Sequence, residues 1–182
     1  MKNASPEEVN CFWFEEIAPR QWWIRDAQFD SALAARFGAT HAAATRCELY
    51  SWREHPDGRL AEIIVLDQFS RNIFRDDPRS FAFDSTALCL AQEAVRIAAD
   101  QQLAPARRVF LYMPFMHSES RVIHEWAIGL FSAPGCEANL AEELRHKAII
   151  DRFGRYPQRN EILGRISTAD ELDFLKRQNS SL

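Results

Sequence analysis

The 182-residue sequence contains no C-x-x-C pair. Its four cysteines, Cys11, Cys47, Cys89 and Cys136, stand far apart, which excludes the ligand spacing of a zinc knuckle and the dithiol of a redox motif. They read as core thiols. No apolar run approaches the ~20 residues of a membrane span. The N-terminal MKNASPEEVNCFWFEE has acidic residues and a proline ahead of its apolar cluster, and neither an h-region nor a cleavage site. A cytoplasmic protein with reduced cysteines is therefore expected, without membrane contact. Neither sign of charge dominates: 22 Lys and Arg face 26 Asp and Glu, for a net charge of −4 and a pI near 5.8. Such a balance gives no basic footprint for nucleic acid. H-E-x-x-H and G-x-S-x-G are both missing, so a zinc peptidase site and a serine nucleophile elbow are excluded, and no cofactor is implied.

What is present is apolar bulk in helical spacing. Hydrophobic residues make up 47% and aromatics 12%, enough for the core of one domain over residues 1–182. The stretch Arg59 to Arg75, RLAEIIVLDQFSRNIFR, is apolar almost all round before it turns polar at Asp67, Gln68, Arg71 and Asn72. As a helix it needs cover on several sides, which marks it as central. IIVL alone fits a buried strand, but a lone strand has no partner, and the helical flanks decide for helix.

Around it the pattern predicts further helices. Ser5, Pro6 and Glu8 form a capping box that opens a first helix to about Ile17, with Val9, Phe12, Trp13 and Phe14 as an aromatic stripe. Asp26 caps a second, carrying Phe29, Leu33 and Phe37 at spacing four, with Gly38 as its C-cap. A third is expected from Ala39 to Arg53, ended by the turn chemistry of Pro56-Asp57-Gly58. Phe81 to about Leu103 reads as the longest helix, with an alanine seam at Ala87, Ala91, Ala94 and Ala98. Pro105 opens the next, which Pro114 should end or kink. Ser118 is placed to cap a helix from Glu119 to Phe131, another spans 137 to 153 with Gly154 as C-cap, and Thr168 to Glu171 caps a last one around Leu172 and Leu175. RYPQRNEILGRIS is too polar and broken for regular structure. Without alternating strands the fold class is all-α, built of antiparallel helical hairpins joined by short turns.

FWFEE at 12 to 16, FD at 29 and 30, LDQFSRNIFR at 66 to 75, LYMPFMHSE at 111 to 119, RFGRYPQRNEILGR from 152 and STADE ending at 171 together cover nearly the whole chain. In these motifs the sequence resembles a largely bacterial family catalogued only as a domain of unknown function, number 924. The resemblance implies a helical fold similar to tetratricopeptide-repeat proteins, with no activity assigned. Ser70, Gln158 and the VIHE at 122 to 125 depart from that pattern, which has proline at the first position, histidine at the second and a glutamine-containing acidic segment at the third.

The unusual polar segments supply the candidate site. Asp67, Glu119 and His117 have the groups for acid–base catalysis, since histidine titrates near neutrality and a carboxylate can orient it. Arg71, Asn72, His146, Arg155 and Arg159 are the candidate ligand contacts, the arginines offering planar forks to an anion. The segment Arg145 to Arg165 is the clearest local basic excess, and Tyr156 gives it a single stacking surface, which favours a small anion over a polymer. The plain structural alternative is that these groups tie helix ends together: Asp67 pairs with Arg71, Ser118 and Glu119 cap a helix, and Arg155 and Arg159 bond orphan carbonyls. Trp22 and Trp23 read mainly as core, with a peptide groove as the alternative. Three functions follow: a binding domain for a small anionic ligand or peptide carboxylate, a hydrolase-type enzyme, or a scaffold for protein interaction. Ligand identity and oligomeric state stay open.

Overall fold

In the computed structural model, which describes residues 3–178, the Ser5–Glu8 capping box forms as its sequence dictates. It opens α1 (Pro6–Cys11), which runs on through a π-helical turn, Phe12–Glu16. After a 3₁₀ turn at Pro19–Trp22, Asp26 accepts from the Gln28 and Phe29 amides and starts α2 (Ala27–Thr45). Gly38 does not end this helix. It stays helical, because Thr40, His41, Ala43 and Ala44 beyond it bury the same face and hold the chain in register. The expected third helix is thus the second half of α2 and a 3₁₀ turn at Tyr50–Glu54, separated by Cys47 in the left-handed region at φ 56°.

The central helix is as read. It comprises α3 (Pro56–Ile64), a π-helical turn (Val65–Phe69) and α4 (Ser70–Ile73) in unbroken succession. Pro56 to Gly58, expected as a turn, form its first turn, with Pro56 at the position where a missing amide costs nothing. Leu60, Ala61, Ile63, Ile64, Val65 and Leu66 are wholly buried. Full burial of six apolar side chains in one helix needs neighbours all round, and α1, α2, α5 (Asp84–Arg96) and α6 (Pro105–Met116) supply them. The alanine seam is confirmed at Ala87, Ala91 and Ala94. Helix α5 is shorter than expected, since Ala98 adopts φ 56° and turns the chain into a 3₁₀ turn at Asp100–Gln102. The longest helix is α2, at 19 residues. Pro114 lies inside α6, two residues before its end, where one lost amide bond is tolerated.

Helix α7 (Arg121–Phe131) begins two residues later than the sequence indicated, because Ser118 turns its hydroxyl to the Ser120 amide at 3.2 Å and leaves residues 117 to 120 as a connecting segment. Next come a 3₁₀ turn at Glu137–Asn139 and α8 (Leu140–Phe153), closed by Gly154 at φ 69° as predicted. A 3₁₀ turn, Pro157–Arg159, and α9 (Ala169–Gln178), behind the Thr168–Glu171 capping box, complete the order. Helix α5 packs on α6, α6 on α7 and α7 on α8. Among the described residues there is no strand, and no helix is long and apolar enough to cross a membrane.

The N-terminal aromatics are core, as read: Phe37 meets Phe12 at 4.9 Å and Phe69 at 5.0 Å between ring centroids, and Trp22 sits 4.7 Å from Phe110. Trp23, by contrast, is 60% exposed. Of the four free cysteines only Cys136 is a buried core thiol; Cys47, in the left-handed turn after α2, and Cys89, on the face of α5 away from the buried alanine seam, are exposed.

Candidate functional site

The π-helical turn carries Asp67 into the interior, where its side chain is wholly buried. An isolated carboxylate there would cost several kcal/mol, on the order given by ion desolvation. It is not isolated. Oδ1 lies 2.8 Å from His117 Nδ1 and 3.0 Å from Arg71 Nη1, and Oδ2 accepts from Gln68. Burial raises the Asp67 pKa, but the Arg71 charge and the His117 and Gln68 hydrogen bonds outweigh it and hold the carboxyl well below the usual range.

His117 is the residue that caps α6. Burial, and then the Arg71 charge, push its pKa below 6.5 against the pull of Asp67, so the ring is neutral at pH 7. Because the ionised Asp67 can only accept, Nδ1 holds the proton and donates it to Oδ1, leaving a lone pair on Nε2. No protein group among the described residues bonds Nε2, and 17% of the side-chain surface remains exposed.

Arg71 and Arg159 converge on one further carboxylate. Arg71 Nη2 reaches Asp84 Oδ2 at 3.0 Å and Arg159 Nη1 reaches the same oxygen at 3.2 Å. Arg159 also donates to the His117 carbonyl at 3.0 Å, with its guanidinium over the rings of Phe81 (4.6 Å) and Tyr156 (4.5 Å). Glu119 accepts from the Tyr156 amide at 2.7 Å and from both terminal nitrogens of Arg165 at 2.6 and 2.9 Å. Burial raises its pKa, but the Arg165 hydrogen bonds win and lower it.

Of these groups Asp84, His117, Glu119 and Arg159 border a cleft of about 280 Å³, and Asp67 and Arg71 stand behind them. Phe81, Leu88, Pro114 and Leu163 make its apolar walls, and Asp84, His117, Ser118, Glu119 and Arg159 its polar part. A second network supports it from behind. His124 and Glu143, both fully buried, meet at 2.6 Å, and His124 Nε2 donates to the Ser118 carbonyl at 2.9 Å while the Tyr156 hydroxyl donates to Met116 O. The segment holding His117 and Glu119 is thereby tied at both ends.

Four of the eight residues singled out by sequence, Asp67, Arg71, His117 and Arg159, belong to one bonded chain, and Glu119 lines the same cleft. The other three lie elsewhere. Asn72 joins Arg75 on Asp30, tying α4 to α2. Arg155 grips Glu171 at 2.7 and 2.8 Å and donates to Ile166 O, fastening α9. His146 donates to the Glu142 carbonyl at 2.9 Å with its ring edge-on to Tyr156, and burial lowers its pKa to about 4. Sequence reasoning missed Asp84 and Arg165. An aspartate in a first helical turn is explained by the helix dipole alone, so Asp84 gave no separate signal. Arg165 was visible only as part of the basic segment. Among the described residues no group of His, Cys, Asp and Glu is arranged to hold a metal ion.

Residues 9–179 match the family model described as bacterial protein of unknown function, DUF924. A solved structure of a protein of unknown function from Agrobacterium tumefaciens is 37% identical, with a TM-score of 0.89 over 94% of this chain and 96% of that one. No curated protein matches the sequence. The chain belongs to the bacterial DUF924 family.

Proposed function

We propose that the chain is a small-molecule-binding protein whose ligand occupies the cleft beside His117, Asp84 and Arg159. Support comes from the joining of Asp67, Arg71, His117 and Arg159, drawn from three separate stretches of chain, in one bonded network whose His117 and Arg159 line a cleft of about 280 Å³. That size falls near the lower bound of small-molecule pockets, about 300 Å³, and so favours a metabolite over a peptide or polymer. Of the three arginine anchors expected from sequence, Arg155 is occupied by Glu171, which leaves Arg159 at the cleft and Arg71 behind it.

The His117 geometry favours a second reading, acid–base catalysis on the bound molecule. A neutral imidazole oriented through Nδ1 by a buried carboxylate presents Nε2 as a proton acceptor. In that reading Glu119 does not act as a base, because Arg165 and the Tyr156 amide already occupy its oxygens.

A thermal-shift screen against classes of metabolite, run on wild type, Arg159→Ala and His117→Gln, tests the proposal. A ligand that prefers the native state raises Tm, and the rise should vanish in Arg159→Ala while helical circular dichroism persists. No rise from any class, with both variants simply less stable, would sink the binding reading in favour of a scaffold role. Turnover of the bound compound, lost in His117→Gln at unchanged affinity, would establish catalysis.

A further inference from the structure

We infer that the ligand of this cleft is a small neutral molecule bearing hydroxyl groups, and not the anion that the arginine-rich sequence leads one to expect. The inference rests on the binding reading above and concerns the chemistry of the same site. Its basis is the hydrogen-bonding capacity left over once every internal bond has been counted.

Each guanidinium at the cleft or directly behind it already has a carboxylate. Arg71 is held by Asp67 and Asp84, Arg159 by Asp84, and Arg165 by Glu119. Three positive charges thus meet three negative ones around a neutral imidazole. An anionic ligand would bring a fourth negative charge beside three carboxylates and find no unpaired cation to compensate it. A cationic ligand fares no better, because the Asp84 oxygen that would attract it is shared by two guanidinium groups.

What remains at the cleft is acceptor capacity. Asp84 Oδ1 is buried and bonded to nothing, and His117 Nε2 carries a lone pair without a protein donor. Both call for a donor. A hydroxyl supplies one at no cost in charge, and its own oxygen can receive the hydroxyl hydrogen of Ser118, whose Oγ lone pair is taken by the Ser120 amide. The apolar walls at Phe81, Leu88, Pro114 and Leu163 suit the carbon faces between hydroxyls. This is the surface of a monosaccharide or cyclic polyol, with polar edges and C–H faces.

The His117 ring signal in ¹⁵N-detected NMR, assigned by its loss in His117→Gln, reads the cleft directly. Glucose and myo-inositol would be titrated as neutral hydroxyl probes, with succinate, inorganic phosphate and putrescine as charged ones. A saturable shift of Nε2 with a neutral probe and none with the charged ones is expected. Asp84→Asn should then weaken the response about tenfold. Leu163→Trp, which fills the cleft without touching a polar group, should abolish it and guards against misfolding of the aspartate variant. Saturable binding of succinate, phosphate or putrescine would overturn the hydroxyl assignment and leave the cleft a ligand site. Silence of His117 towards all five probes at millimolar concentration would overturn both.

Discussion

At Gly58 an added β-carbon would stand 2.0 Å from the Trp52 carbonyl oxygen, a backbone atom that cannot swing away. The sequence marks this glycine as a turn residue, yet it is helical, and what it provides is close approach of the Tyr50–Glu54 turn to α3. Gly58→Ala should cost about 3 kcal/mol, at the upper end for overpacking, as measured by urea denaturation. Asp67 is the residue whose burial most needs its partners. Asp67→Ala would leave Arg71 and His117 facing an empty site, and the cost should be about 3 to 5 kcal/mol, as for other broken buried pairs. A loss below about 1 kcal/mol would show that the network contributes little to folding. Asp67, Arg71 and His117 were legible in the sequence because each is polar inside an apolar stretch. Arg155 was not separable from them, since a paired arginine and a free one look alike until the position of Glu171 is known.

At the scale of the element, the π-helical turn opens the backbone at Leu66, whose carbonyl accepts from the Ser70 hydroxyl at 2.6 Å. Since that hydroxyl has only one hydrogen, His41 Nε2 must donate to Ser70 Oγ, 2.8 Å away. Ser70 thereby completes a chain of bonds from α2 into the central helix. Ser70→Ala removes both bonds at once and should lower stability by about 1 to 3 kcal/mol, the range for buried groups left unsatisfied. Denaturation curves of this variant beside His41→Ala would show the two losses to be less than additive. Helix existence and most caps could be read from sequence, because Ser5, Asp26, Gly154 and Thr168 act within a few residues of themselves. The merging of two expected helices into α2 could not, because the decision at Gly38 depends on what His41 and Ala44 bury against distant elements.

For the whole molecule, acid should act first through histidine. Burial lowers His41 and His146 to about 4, and His117 falls below 6.5 as well. Between 6.5 and 4 the unfolded chain binds more protons than the folded one, so the stability these rings contribute is complete above 6.5 and is lost as pH falls through that window. His41 alone accounts for roughly 3 kcal/mol. The urea midpoint should therefore drop steeply from pH 7 to pH 5, well before the carboxyl of Asp67 is protonated. The drop should be shallower in His41→Gln. An unchanged slope in that variant would assign the acid sensitivity to other groups.

The π-helical turn at Val65–Phe69 makes the length of the central helix a constraint as strict as its composition. Such a turn holds one residue more than an α-helix of the same rise requires. Deleting a single residue there would let regular α-winding span the same rise, so that residues from Ser70 onward keep their places while the side chains within the turn shift around the axis. Arg71 would keep Asp84, and Asn72 and Arg75 would keep Asp30, but Asp67, inside the turn, would swing away from His117 while the helix itself stayed intact. Relatives sharing this network should therefore keep Asp67 and the count of five residues across 65 to 69. A one-residue deletion made in the laboratory should retain a helical dichroism spectrum and move the His117 ring signal, which the Asp67 bond sets.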